Sequence, residues 1–161
     1  MPDGYTSSKA RKAAKVTQRC LDYWAELGIV SPSVRKAAGK GHVRLYSFED
    51  LVKLRIVKNL RQLGLSLQQV RKALRKLPKK HPGTDPLLDE VLLTDGRTLF
   101  RRLESGQLAD VLAEGQLVLN IIRVGLIRKE TETSIIELDT QTKDRRIGKK
   151  LPRARNETQV G

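Results

Sequence analysis

Cysteine is almost absent from this chain: one, Cys20, occurs in 161 residues, which excludes an intrachain disulfide and any cage built from several thiolates. Histidine is nearly as scarce, and His42 and His81 offer no ligand spacing that a metal sensor needs. No apolar run approaches the roughly 20 residues that cross a bilayer, and nothing resembles a signal peptide, so a cytoplasmic protein is expected. Paired carboxylates, a nucleophile with its base, a phosphate loop and a metal cluster are missing as well. Neither an enzyme nor a cofactor is therefore expected.

Acidic residues are scarce in one region only. Residues 1–80 hold 19 Lys and Arg against 5 Asp and Glu, net +14; residues 81–139 hold 6 against 11, net −5; residues 140–161 hold 7 against 2, net +5. A solubilising surface does not require so uneven a split, whereas a polyanion partner for the first segment does, because phosphate neutralisation and counterion release drive nucleic-acid binding.

The length suits two small domains. Pro78, Pro82 and Pro86, with Gly83 and Asp85 between them, stop a helix and mark a linker. The boundaries read as a disordered N-terminus over 1–7, a DNA-binding domain over 8–77, a linker over 78–89, a small α+β domain over 90–136 and a basic disordered tail over 137–161. The fold class is mainly α, with a winged helix-turn-helix followed by that α+β module.

Within the first domain, Ser7 or Ser8 can cap a short helix through KARKAAKV, and Thr17 a second through QRCLDYWAEL that ends at Gly28. Leu21, Trp24 and Leu27 form an inward stripe in the second helix, facing Ala13, Ala14 and Val16. Gln18, Arg19 and Asp22 are left pointing elsewhere. This is a helix-turn-helix pattern, whose second helix enters the major groove, and Arg19 is the leading base or phosphate contact. Gly39 and Gly41 then allow a reversal between short arms around Ser33 to Arg35 and His42 to Tyr46. The tip of this wing collects Arg35, Lys36, Lys40, His42 and Arg44, which can reach sugar-phosphate or a narrow minor groove.

Ser47 with Asp50, and Ser66 with Gln69, have the spacing of capping boxes, so helices are expected to begin at Phe48 and Leu67, with Gly64 between them. Leu51, Leu54, Ile56, Leu60 and Leu63 form the buried face of the first, matched by Leu67, Val70 and Leu74 of the second. Arg55, Lys58, Arg61, Arg71, Lys72, Arg75 and Lys76 are assigned to exposed faces.

The block from Ala13 to Leu77 resembles the MerR family of bacterial transcription regulators. The likeness is carried by Thr17, Arg19, Leu21, Tyr23 and Trp24 in the recognition helix, by Arg44, Tyr46 and Ser47 at the end of the wing, by Glu49 and Asp50 opening the next helix, and by LGLSLQQVRKAL from Leu63 to Leu74. The LDYW sequence and the wing RKAAGKGHVRLYSF are similar to an actinobacterial branch whose members continue into a small second domain containing TDG. The resemblance implies a nucleoid-associated homodimer on a two-fold promoter element in double-stranded DNA, with RNA polymerase as a candidate second partner. It implies DNA contacts from Arg19 and Tyr23 in the helix and a wing anchored by Arg44 and Tyr46; with Thr17, Gln18, Arg35, Lys36, Lys40 and His42, these are the residues expected to meet DNA. Three features depart from the family pattern. Asp22 stands where many members carry Arg, and would either face the protein or accept from a cytosine amino group. His42 and Val43 replace the usual approach to the wing. Prolines occupy the stretch where family sensors place a long dimerisation helix, so dimerisation is expected to use the second domain.

In that domain, strand, a turn at Asp95 and Gly96, strand, a helix over Gln107 to Ala113 and a strand from Leu117 to Val124 are expected. Its core candidates include Leu92, Leu93, Leu99, Phe100, Ile121 and Ile122. The domain is expected to serve dimerisation or an effector that the sequence does not identify; Arg101 and Arg102 could bind an anionic one, although exposed edge charges explain them better. Two other functions compete with a site-specific regulator: an architectural or excisionase-like DNA binder, and a protein-interaction adaptor in which the second domain does the binding.

Overall fold

The computed structural model describes residues 4–36, 43–76, 85–88, 91–94, 99–101 and 120–150. The chain starts with a short strand, β1 (Tyr5–Thr6), which pairs antiparallel with β2 (Leu45–Tyr46) in the register Tyr5↔Tyr46 and Thr6↔Leu45. The expected disorder over 1–7 is thus corrected at Tyr5 and Thr6. The Tyr5 ring is buried, Lys9 Nζ lies 5.2 Å from its centroid, and burial of a large aromatic anchors a segment that composition marks as polar. Thr6, not Ser7 or Ser8, caps α1 (Ser7–Ala14) by accepting from the Lys9 amide. Ala10, Ala13 and Ala14 are fully buried in α1. Lys15 then takes a left-handed conformation, φ 54°, and its amide donates to the Arg11 and Lys12 carbonyls, turning the chain into α2 (Gln18–Glu26).

In α2, Leu21 and Trp24 are buried and Leu27 just beyond it packs against the core, as the spacing predicts. Gly28, at φ +68°, ends the segment where an L side chain would be strained. Ser47 opens α3 (Phe48–Gln62) with a complete capping box: its side chain accepts from the Asp50 amide while Asp50 accepts from the Ser47 amide. Leu51, Val52, Leu54, Ile56, Val57 and Leu60 are all fully buried, so α3 is the central helix and has neighbours on most sides. Gly64, at φ +103°, turns the chain toward α4 (Leu67–Lys76), where Ser66 and Gln69 form the second expected reciprocal cap.

Beyond α4, the described residues resume at a 3-10 turn, Pro86–Leu88, in which Asp85 accepts from the Leu87 amide. Leu87 is fully buried. A three-stranded antiparallel sheet follows, with β3 (Val91–Thr94) between β4 (Leu99–Arg101) and β5 (Asn120–Arg123). The expected turn at Asp95 and Gly96, the expected helix over Gln107 to Ala113 and residues 78–84 of the linker lie outside the described residues. Leu92 and Ile122 are buried as expected, whereas Ile121 points out of the sheet and is exposed.

β5 runs directly into α5 (Val124–Lys150), a helix of 27 residues. Two expectations are corrected here. The tail assigned to disorder from 137 is helical to Lys150, and the two modest cores are one: Leu87, Leu92, Ile122, Val124, Ile127 and Ile135 join the cluster that contains Leu21, Leu51, Leu54 and Leu60. The helix docks on α1 and α3. Arg128 makes a two-pronged pair with Glu49 at 2.8 Å for each bond, Lys9 meets Asp139 at 2.6 Å, and Arg55 reaches Glu130 at 3.3 Å and Ser134 at 3.1 Å. Arg55, assigned to an exposed face, is 6% exposed, because α5 covers the side of α3 that would otherwise meet water. A long helix is therefore present after all, placed after β5 rather than directly after α4. Among the described residues no helix is long and apolar enough to cross a membrane.

Candidate nucleic-acid interface

The second helix owes its start to Thr17, whose side chain accepts from the Cys20 amide. This cap leaves Gln18 and Arg19 in the first turn, both exposed, and Tyr23 one turn later, 50% exposed. Trp24 faces inward and Cys20 is partly buried against the core, so both are packing residues. Helical periodicity thus separates a buried row from a solvent row that carries the polar and basic groups.

The wing begins where Arg35 pairs with Leu45: the Leu45 amide donates to the Arg35 carbonyl at 2.9 Å, and the Arg35 amide donates back at 3.1 Å. Arg35 Nε also donates to the Val43 carbonyl at 3.0 Å, closing the base of the hairpin. Arg35 and Leu45 belong to the two arms expected, and Lys36 is exposed, while Lys40 and His42 lie outside the described residues. β2 is therefore held on both edges, by β1 on one side and Arg35 on the other.

Tyr46 is corrected. It is fully buried, and its hydroxyl is flanked by Arg44 and Ser7, without a partner in hydrogen-bonding geometry. Burial pushes the phenol pKa up, opposed by the Arg44 guanidinium. Pairing with Tyr5 turns this side chain into the core, so it supports the wing from beneath rather than meeting a ligand. Tyr46→Phe is expected to change stability by less than about 1 kcal/mol, because the hydroxyl contributes no completed bond, while Tyr46→Ala costs about 3–5 kcal/mol. Urea unfolding midpoints of the two variants check this; a large loss for phenylalanine would show that the hydroxyl is bonded.

Asp22, half-exposed in the solvent row of α2, is paired within the chain. Its Oδ1 receives Arg44 Nη1 at 2.6 Å, and Gln18 Nε2 lies 3.2 Å from each carboxylate oxygen. The contact joins the solvent row of α2 to the wing. Hydrogen bonding to Asp22 raises the Arg44 pKa against a smaller opposing effect of burial, so the pair is an ionic one.

Two shallow grooves flank α2 among the described residues. One, about 580 Å³, is lined by Arg19, Asp22, Tyr23 and Glu26. The other, about 440 Å³, brings Lys15, Arg19, Lys58 and Arg61 around Tyr23 and Trp24, with no acidic side chain in its lining. Lys15 was not singled out from sequence, and Lys58 and Arg61 were assigned there only to exposed faces. The spacing of three between Lys58 and Arg61 places them on one side of α3, but that this side borders α2 follows from the crossing of the two helices. Four cations around one groove suit a polyanion backbone.

The wing root is organised by Asp50, which is fully buried. One oxygen accepts from the Ser33 amide at 2.8 Å, the Ser33 hydroxyl at 2.6 Å and the Ser47 amide at 3.0 Å; the other lies 3.1 Å from Lys53 Nζ. Lys53 also reaches Asp85 at 3.3 Å, linking the root to the segment beyond α4.

The sequence pattern of the MerR HTH family regulatory proteins matches residues 5–77, which include α1, α2, the wing, α3 and α4. Uncharacterized HTH-type transcriptional regulators of Mycobacterium tuberculosis and Mycobacterium bovis are 40% identical over 128 residues, covering 80% of this chain and 56% of theirs. The HTH-type transcriptional regulator HmrR of Sinorhizobium medicae is 32% identical over 66 residues, covering 41% of this chain and 43% of that protein. The chain thus spans little more than half the length of its mycobacterial relatives.

Proposed function

Residues 5–77 being a MerR HTH family domain, we propose that the chain is a transcription regulator that binds double-stranded promoter DNA as a homodimer, through α2 and the wing. The observation that carries this reading is the exposed row Gln18, Arg19 and Tyr23, tied by Asp22 to Arg44 of the wing and bordered by the cationic groove of Lys15, Lys58 and Arg61. An exposed helix with basic side chains in its first turn can enter a major groove. Arg35, Lys36 and Arg44 are then available to phosphates beside it. α5 supports the dimer, since Leu126 and Ile136 are exposed on the helix whose Val124, Ile127 and Ile135 are buried. RNA polymerase would be the second partner of a regulator acting at promoters.

The test is selection of duplex fragments followed by binding isotherms at several salt concentrations. Affinity is expected to fall steeply with salt, and the bound unit to contain two chains. Arg19→Ala should lower affinity for the selected site by roughly tenfold or more, the share of one base contact, while random duplex loses only one phosphate contact. Equal losses on both would make Arg19 a backbone contact. Occupancy spread over many adjacent sites would make the chain an architectural binder instead.

A further inference from the structure

Asp22 is an acid in the solvent row of α2, on a face whose other charged groups are largely cationic. Both of its oxygens are engaged, by Arg44 at 2.6 Å and by Gln18 Nε2 at 3.2 Å to each. A carboxylate can only accept hydrogen bonds, so Gln18 must turn its amino group toward Asp22. The carbonyl oxygen Oε1 is then the acceptor that Gln18 leaves free. Gln18 is exposed and sits in the first turn of the helix, the part of a recognition helix that meets base edges. Arg44, in turn, cancels the charge that would make Asp22 repel a phosphate.

In the major groove, adenine and cytosine present exocyclic amino donors, whereas guanine and thymine present keto acceptors at the corresponding edge. An outward carbonyl backed by a carboxylate attracts the first pair and repels the second. Resting on the DNA-binding reading above, we propose that Asp22 is a specificity-determining positioning residue: it locks the Gln18 amide with Oε1 outward, so that this place on α2 selects an adenine or cytosine amino group. The same carboxylate holds the wing to the helix through Arg44, so the base reader and the backbone clamp are set by one side chain.

The experiment is selection from a random duplex library with the full chain as wild type, Asp22→Asn and Gln18→Ala. Asparagine both donates and accepts, so it lets the Gln18 amide turn over while keeping the size of the side chain. The wild type is expected to prefer amino-bearing bases at one position of each half-site by roughly tenfold, and both variants to lower that preference to about twofold or less, with other positions unchanged. Asp22→Asn should also bind the wild-type site more weakly although a negative charge has been removed from the interface. An unchanged base preference at every position would overturn the assignment. So would a uniform gain in affinity on selected and random duplex, which is what an acid that merely repels phosphate predicts. A wild type that enriches no duplex at all would instead overturn the DNA-binding reading, and this assignment with it. The three results are distinct.

Discussion

Asp50→Asn is expected to destabilise the fold by about 2–4 kcal/mol, the range for disabling a buried, multiply bonded charge. Asp50 closes the cap of α3, accepts from the Ser33 amide and hydroxyl, and faces Lys53, all without exposure to solvent. An asparagine can keep one oxygen toward Ser33 and Ser47, but its amino group then opposes the Lys53 ammonium, whose side chain is mostly buried and retains only Asp85. Because Ser33 starts the first arm of the wing, the loss should loosen the wing root and weaken duplex binding as well.

The pH dependence of this effect has a definite sign. Burial by itself would raise the Asp50 pKa, but hydrogen bonds from the Ser33 side chain and from the Ser47 and Ser33 amides, with the Lys53 charge, outweigh it and hold the carboxyl below its ordinary value. A group whose folded pKa is depressed contributes stability that is present above its unfolded pKa and is lost as pH falls through the folded value. The difference in unfolding free energy between wild type and Asp50→Asn should therefore be constant above about pH 5 and shrink on acidification below about pH 4. Denaturant midpoints from pH 3 to 7 measure it. A difference that stays constant down to pH 3 would mean that the carboxylate is not held ionised by these partners.

Arg55→Ala is expected to cost about 3 kcal/mol or more and to free α5 from α3. Arg55 is 6% exposed, and its guanidinium bridges α3 to Glu130 and Ser134 of α5 while its stem fills space between the two helices. Glu130 is largely exposed and can rehydrate, so the loss arises from the emptied volume and the broken hydrogen bonds rather than from a stranded charge. Arg55→Met refills much of that volume without the charge, and should recover about half of the loss if packing dominates. Hydrogen exchange of the amides of α5, read beside the unfolding midpoint, separates local release from global loss. Unchanged protection of α5 in Arg55→Ala would show that Ile127, Ile135 and the Glu49–Arg128 pair hold it unaided.

Most of the first domain was legible because its signals are local. The Thr17 cap and the two reciprocal boxes at Ser47 and Ser66 depend on atoms three residues apart, and the leucine rows of α3 and α4 repeat with the helical period. The polar and basic row of α2 could be picked out for the same reason, since burial of Leu21 and Trp24 dictates what is left outside.

α5 was not legible. Its sequence is rich in charge and in threonine, a composition that predicts weak helix, and Thr131, Thr133, Thr140 and Thr142 each satisfy their hydroxyls on the carbonyl four residues back. What holds the helix is contact with α1 and α3, across pairs such as Lys9 with Asp139 and Arg55 with Glu130 that stand 130 and 75 residues apart. Tyr5 was hidden in the same way, since two strand residues are too few to show a pattern and their partner, β2, lies some forty residues on.

From the sequence alone came the strongly basic domain, the helices that build it and the row of α2 that faces outward, all consequences of periodicity, capping and composition. The tertiary fold decided the partners: that Asp22 takes Arg44, that Tyr46 lies beneath the wing, that Arg55 is buried and that the acidic and basic parts share one core. Those outcomes depend on which surfaces meet once the chain closes on itself, and burial and ion pairing between distant segments leave no trace in the spacing of neighbouring residues.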